Sequence, residues 1–467
     1  MKLEIFKPFI VCWLKFHSQI KQSLPIFFFL GLAVIAGIRF LNGLDSAVYQ
    51  CDEYSYLRKS YFLDLYTKGR FTDVQWQKPD ATDQTKLMEY VYGIPSQVLY
   101  QKSFINLAEE ESKRYGESFV NYSDWAVTYG QPANELAVSD KLKQVLFAGR
   151  MISALLTIVY ILLLCLALFW LTDNSYLVTG LGFIFLLTHP IINIHGKQVL
   201  ADSALNMFFV LGLLIMLLWW QIFWKQKQNW KTLGFLTLLS GLMGGLAAAT
   251  KLNGFIHLII AEFFIALAVL LSLWRLKNSI SSKKKQLTRL VLLGILQAGV
   301  TLFVFISLHP NIWDNPLTGI KNFIEWRWWI TAYYQDYFQE DSLTSWWEIM
   351  QYIFMRVAGY LPGVGSIGFH YESRFKSLSL AWYFIPNVLF FVLGFREIFQ
   401  RLVKKHGYRQ KVLPAAIWSL GFILIVSIYL KLDWTRYYWP LIGPFVIINS
   451  LGLLSLIREI TKLWRKS

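Results

Sequence analysis

The sequence predicts an all-α, polytopic membrane protein, and three observations carry that prediction. The 467 residues are 55% hydrophobic and 17% aromatic but only 16% charged, with mean hydropathy +0.41, a balance foreign to a soluble domain. Apolar runs of roughly 17 to 22 residues recur, each long enough as a helix to cross the ~30 Å hydrocarbon core of a bilayer. Lys and Arg gather in alternate connections between these runs, which is the positive-inside bias of membrane topology.

About ten spans follow, at 24–41, 146–171, 176–192, 203–224, 233–249, 254–274, 289–308, 379–395, 412–430 and 438–457. The third is short. The stretch 350–369 has room for a re-entrant segment or a further pair, which would bring the bundle to 11–12 helices. Residues 1–23 read as a cytosolic N-terminus and 24–467 as one transmembrane unit. That unit includes a first extracytoplasmic loop at 42–145 and a second large extracytoplasmic region at 309–378.

Charge sets the orientation. The segments 1–23, 172–175, 225–232, 275–289, 396–411 and 458–467 hold 23 Lys and Arg against four acids, Glu4, Asp173, Glu397 and Glu459. The long loop 42–143 holds 11 Lys and Arg against 15 acids. Both termini therefore read as cytosolic, and the net charge of +16 is mostly an orientation signal. Lys283-Lys284-Lys285 and Lys404-Lys405 would attract anionic headgroups of the surrounding membrane lipids. No nucleic-acid partner is expected, because no soluble basic domain exists to hold one. The first apolar run lacks a small-residue cleavage site and reads as an uncleaved span. Of Cys12, Cys51 and Cys165 only Cys51 falls on the outer side, so no exported disulfide is expected. Asn121-Tyr122-Ser123 is a sequon, a tripeptide common by chance. No internal repeat is evident, which argues against a transporter built from repeats.

Polar chemistry collects on the outer side. Asp52-Glu53 lies shortly after the first span, where a carboxylate can act as general base, bind a cation or orient a partner. Tyr54, Leu57, Tyr61, Phe62, Leu65 and Tyr66 follow at near-helical spacing, with Arg58 and Lys59 off the stripe. The pattern suggests an amphipathic helix on the membrane surface. Arg150 lies just inside the second span, where an ionisable group either faces a cavity or partner or snorkels to the interface. The second outer turn carries His189, His195, Lys197 and Asp202; Asp202 suits a helix N-terminus, and the two His without a spaced third ligand are a weak metal signal. Lys251, against the inside rule, suits a phosphate or a headgroup, and Arg436 offers a fork for phosphate oxygens. Trp326, Trp328, Trp329, Tyr333, Tyr334, Trp346 and Trp347 form a belt suited to interfacial anchoring or to stacking on sugar rings.

These motifs, in order and on one face, resemble the membrane glycosyltransferases that use polyprenyl-phosphate sugars. The nearest group is the protein O-mannosyltransferase and aminoarabinose-transferase type (glycosyltransferase family 39-like) with the GT-C fold. Asp52-Glu53 matches the family's acidic pair, and Ala148 to Leu155 resembles its arginine followed by a small-residue helix. Asp202 resembles the Asp that opens a span, Gly241 to Lys251 the Gly-rich span ending in Thr-Lys, and Trp434 to Pro440 the closing aromatic-Arg-Tyr-Tyr-x-Pro pattern. The family's His-Pro-Pro-Leu-x-Lys stretch has its nearest counterpart at Asp83 to Gly93, with Lys86 but without the prolines, and the segment 64–140 departs from the compact family loop.

The resemblance implies a GT-C-type bundle and a polyprenyl-phosphate sugar as donor, with the acceptor a hydroxyl of a protein, lipid or glycan. It implies transfer on the extracytoplasmic or lumenal face, by inversion. In a bacterium this places the protein in the plasma (inner) membrane with its site facing outward. Asp52 and Glu53 are the expected catalytic carboxylates, with Asp52 as base. Arg150, Lys197, Lys251 and Arg436 are the expected donor-phosphate cations, while Asp202 and Lys86 would orient the acceptor or a metal. A divalent cation stays open as cofactor. A transporter or flippase of a lipid-linked or anionic solute is the rival reading. It would need ionisable groups deep in the bilayer, where only Glu262 stands. A non-catalytic assembly subunit is the third.

Overall fold

The computed structural model describes residues 7–47, 49–115, 138–224, 229–275, 280–359, 385–403 and 411–465. The described residues are helical, and the one strand-like pairing among them is an isolated bridge between Ser342 and Leu432. Among the described residues eight helical segments are long and apolar enough to cross a membrane: Ser23–Leu41, Asp140–Leu171, Asp202–Phe223, Trp230–Thr250, Leu252–Leu273, Lys284–Ser307, Val412–Tyr429 and Thr435–Trp464. The chain is an integral, multi-pass membrane protein.

We label the helices α1 (Lys7–Leu41), α2 (Cys51–Lys59), α3 (Tyr61–Thr67), α4 (Lys86–Tyr100), α5 (Phe104–Tyr115), α6 (Asp140–Leu171), α7 (Tyr176–Thr188) and α8 (Asp202–Phe223). There follow α9 (Trp230–Thr250), α10 (Phe255–Arg275), α11 (Ile280–Ser307), α12 (Pro316–Tyr337), α13 (Trp346–Val357), α14 (Ile385–Val403), α15 (Val412–Tyr429) and α16 (Trp439–Trp464). Eight of the ten expected spans coincide with the membrane-length segments. The third is α7, a shorter apolar helix of 13 residues. The eighth corresponds to α14, and its first expected residues lie outside the described ones, as do Asn121-Tyr122-Ser123, 360–369 and Lys404-Lys405. Helix α1 already begins at Lys7, inside the segment read as a cytosolic N-terminus.

Local sequence explains the ends. Ser139 caps α6, Ser175 caps α7, Asn229 caps α9 and Asn315 caps α12, each side chain accepting a backbone N–H in the first turn. Pro316 and Pro440 occupy first-turn positions where no N–H is needed. Helices α9 and α11 meet closely because of Gly245, where a Cβ would lie 2.8 Å from the Thr301 carbonyl oxygen.

The first loop folds as helices α2 to α5. Their apolar stripe does not lie on lipid, as the sequence suggested. Tyr54, Leu57, Phe62 and Leu65 are buried against α4, α5, the start of α6 and neighbouring loop residues. An amphipathic pattern reports an apolar face, not what covers it, and here protein covers it. The face that remains open is on α4, where Ile94, Val98 and Leu99 are exposed. The loop and the turns before α8, after α9 and before α16 share one end of the bundle, and the site lies there.

Candidate active site

Helix α2 begins with a capping box. The Gln50 side chain accepts the Asp52 N–H at 2.8 Å, and Glu53 accepts the Gln50 N–H at 3.0 Å. Successive residues on a helix diverge by about 100°, so the two acids face different surroundings. Glu53 turns inward. The Arg150 guanidinium donates to it from Nε at 2.9 Å and Nη2 at 2.7 Å, and the Val199 N–H donates at 2.8 Å. Arg150 also donates to the carbonyls of Leu44 and Ala47. Both side chains are fully buried. The pair ties the turn after α1 to α6 and to the segment before α8.

Asp52 turns the other way, into a cavity of about 330 Å³. Its carboxylate pairs with Arg436, which sits over the rings of Trp434 and Tyr437. Across the cavity Lys251 donates to Asp202 at 2.8 Å. The Lys251 turn is tight because of Gly254, whose Cβ would fall 2.0 Å from the Ala247 backbone carbon. Asp83, also lining the cavity, pairs with Lys59 and accepts from the Trp326 indole at 3.3 Å. Burial works to raise the Asp83 carboxyl, but the Lys59 charge and hydrogen bond, the Trp326 hydrogen bond and the Arg327 charge together hold it below the usual range. Burial, and next the Asp202 charge, push the Tyr56 phenol well above its ordinary value, so Tyr56 is a neutral wall residue.

Helix α12 closes one side. Arg327, Thr331 and Tyr334 line the cavity at helical spacing, while Trp329 stacks on Tyr333 at 5.8 Å and Tyr333 on Tyr337 at 6.1 Å along an exposed face. Arg327 and Lys431 line the cavity with no carboxylate within ion-pair distance among the described residues. Among the described residues three carboxylates and four cations therefore line this space, and Asp83 already has Lys59 behind it. The cavity carries an excess of two positive charges.

Asp52, Asp202, Lys251 and Arg436 thus converge, and the charged ends of Glu53, Arg150, Lys197 and Lys86 do not. Lys197 donates to the Asn42 carbonyl, away from the cavity. Lys86 is fully buried, donating to Glu89 at 2.7 Å beside the Phe62 ring, because its long stem runs inward between α3 and α4. His195 bonds Gln198 and Thr435, and His189 bonds the Val357 carbonyl. Among the described residues no three His, Cys, Asp or Glu are grouped to hold a metal ion. Among the described residues each carboxylate that lines the cavity pairs with a Lys or Arg. The sequence reading missed Asp83, Arg327 and Lys431. Arg327 and Lys431 each break the inside rule, the same signal that singled out Lys251. A second depression of about 540 Å³ is lined by Leu44, Leu99 and Phe147 together with Asp45, Asp140 and Lys143, and it holds none of the four residues that converge on the first.

A family model described as dolichyl-phosphate-mannose-protein mannosyltransferase matches residues 126–311, a range that holds Arg150, Asp202 and Lys251. No curated protein matches the chain. Among solved structures, the archaeal oligosaccharyltransferase AglB from Archaeoglobus fulgidus, in complex with an inhibitory peptide and a dolichol-phosphate, is similar with a TM-score of 0.54 at 12% identity, over 96% of this chain and 52% of that one. ArnT from Cupriavidus metallidurans bound to undecaprenyl phosphate is similar with a TM-score of 0.49 at 13% identity, over 92% of this chain and 60% of that one. The chain thus spans about half to three fifths of the length of these structures. The family match bears out, over 126–311, the resemblance read from the sequence, and the likeness to AglB is one of fold, the GT-C arrangement of helices.

Proposed function

We propose that this protein is a membrane glycosyltransferase that moves a sugar from a polyprenyl-phosphate donor to an acceptor hydroxyl. The observation that carries the reading is the cavity in which Asp52 meets Lys251, Arg327, Lys431 and Arg436. Its two surplus cations call for an anionic ligand, and a lipid phosphate supplies one. The family match over 126–311 and the fold support the same chemistry.

Asp52 takes the proton of the acceptor hydroxyl as its oxygen forms a bond to the anomeric carbon. The bond from that carbon to the phosphate oxygen breaks, and the lipid phosphate leaves with the electron pair. A single displacement of this kind inverts the anomeric centre. Lys251, Arg327, Lys431 and Arg436 stabilise the charge that grows on the leaving phosphate. Asp202 fixes the Lys251 ammonium, and Tyr334, Tyr437 and Trp328 offer ring faces to the sugar. The acceptor is a protein, lipid or glycan hydroxyl. The charge bias of the loops supports an extracytoplasmic position for this end of the bundle, with both termini in the cytosol. In a bacterium the membrane is the plasma membrane. The cavity's place at one end of the bundle supports transfer at a surface over passage through the membrane.

The test is sugar transfer in purified membranes with radiolabelled polyprenyl-phosphate sugars, comparing wild type with Asp52→Asn at matched expression. Label should pass to an acceptor with wild type alone, and the labelled product identifies the acceptor class. Equal transfer by both forms would remove Asp52 from the role of base.

A further inference from the structure

Every carboxylate in the cavity is engaged by a cation, and this includes the one assigned as base. A carboxylate held against a guanidinium is a poor proton acceptor, because the adjacent positive charge favours its ionised form. Asp52 therefore has to lose Arg436 before it can work. The Asp52–Arg436 pair is only partly buried, with side chains 28% and 18% exposed, whereas Glu53–Arg150 is fully enclosed. Partly exposed pairs are weakly held. The Arg436 guanidinium also lies over Trp434 and Tyr437, so the rings keep it within the cavity when its anionic partner changes.

We propose that Arg436 exchanges partners, leaving the Asp52 carboxylate for the donor phosphate, so that donor binding is the event that frees the base. The exchange breaks one ion pair and forms another, with no covalent bond or proton moved. It makes binding ordered: an acceptor that arrives first meets a masked carboxylate. This rests on the reading of the cavity as a lipid-phosphate site.

The exchange has a counter-intuitive signature. In the ligand-free protein Asp52 competes with phosphate for Arg436, so neutralising Asp52 should tighten phosphate binding even as it removes the base. The experiment measures binding of undecaprenyl phosphate to the purified full chain in detergent, for wild type, Asp52→Asn, Arg436→Gln and the double variant. Asp52→Ser serves as a second neutral replacement, and the melting temperature of each form shows that it is folded. Asp52→Asn should bind about tenfold tighter than wild type, and that gain should vanish in the Arg436→Gln background, as a coupled pair requires. A gain that survives without Arg436 would reflect loss of negative charge from the cavity in general and would overturn the exchange. Equal or weaker binding by both Asp52 variants would overturn it as well. Binding by wild type without that pattern leaves the glycosyltransferase reading intact, since sugar transfer tests it separately. Absence of binding by every form would sink both.

Discussion

Asp52 and Glu53 are neighbours in the chain and opposites in the fold. Asp52 looks into a cavity and pairs with Arg436, and both side chains stay partly exposed. Glu53 looks into protein, and its partner Arg150 is wholly enclosed and bonded to two carbonyls besides. The same pairing of acid and guanidinium gives an exchangeable contact in one case and a fixed brace in the other. Access, not chemistry, separates the two. The buried Lys86–Glu89 pair repeats the second pattern and Asp202–Lys251 leans to the first.

The contrast can be broken most sharply at Asp52. Replacing it by Asn should cut sugar transfer by roughly 10²–10⁴-fold, the contribution of a positioned general base, while the melting temperature in detergent stays put. A large fall in melting temperature would show that Asp52 is a brace too. Arg150→Gln should act the other way round. It strands the Glu53 carboxylate in the interior, at a cost of about 3–5 kcal/mol, read as loss of folded protein or a steep drop in thermal midpoint. Normal stability with lost transfer would move Arg150 into the chemistry. A smaller effect is expected at Arg327, which has no ion-pair partner to strand among the described residues. Arg327→Gln should raise the donor KM about tenfold or more with stability unchanged, the scale of one charged hydrogen bond.

The smallest test concerns pH. Burial raises the Glu89 carboxyl to about 7, against the opposing charges of Lys86 and Lys59. Its folded value lies above its unfolded one, so the stability tied to its proton is full below the unfolded value and is lost as pH rises through about 7. The thermal midpoint should fall by roughly two to four degrees between mildly acidic and mildly alkaline buffer, and Glu89→Gln should flatten that slope. An unchanged slope in the variant would assign the pH response to another group.

The spans were legible because a bilayer imposes length and apolarity on any segment that crosses it, and lipid-facing positions advertise themselves. Lys251 was legible as a cation on the wrong side for topology, Arg436 as a guanidinium fork suited to phosphate, and Asp202 as an acid at a helix start. The direction of each side chain was not. Glu53 reads as a catalytic partner until the Gln50 cap fixes the phase of α2 and turns it inward. Lys86 reads as a site cation until its stem is seen to lie along Phe62. Arg327 was hidden in plain view, because the Trp-rich stretch around it reads as an interfacial anchor. The helix bears both characters, with stacked rings along an exposed face and Arg327 in the cavity wall. Sequence periodicity reports which residues share a face, and only packing says what that face meets.

The two members of the Asp52–Arg436 pair are separated by most of the chain. At translation rates of about 5–20 residues per second, Asp52 leaves the ribosome tens of seconds before Arg436 exists. Through that interval the carboxylate stands beside a cavity that has no α16 and no final turn. A chain cut short before Arg436 would carry most of the apolar segments and still lack, on the proposed function, both the partner of its base and part of its phosphate site. The last turn before α16 therefore marks the moment in biosynthesis at which the cavity gains its last cation.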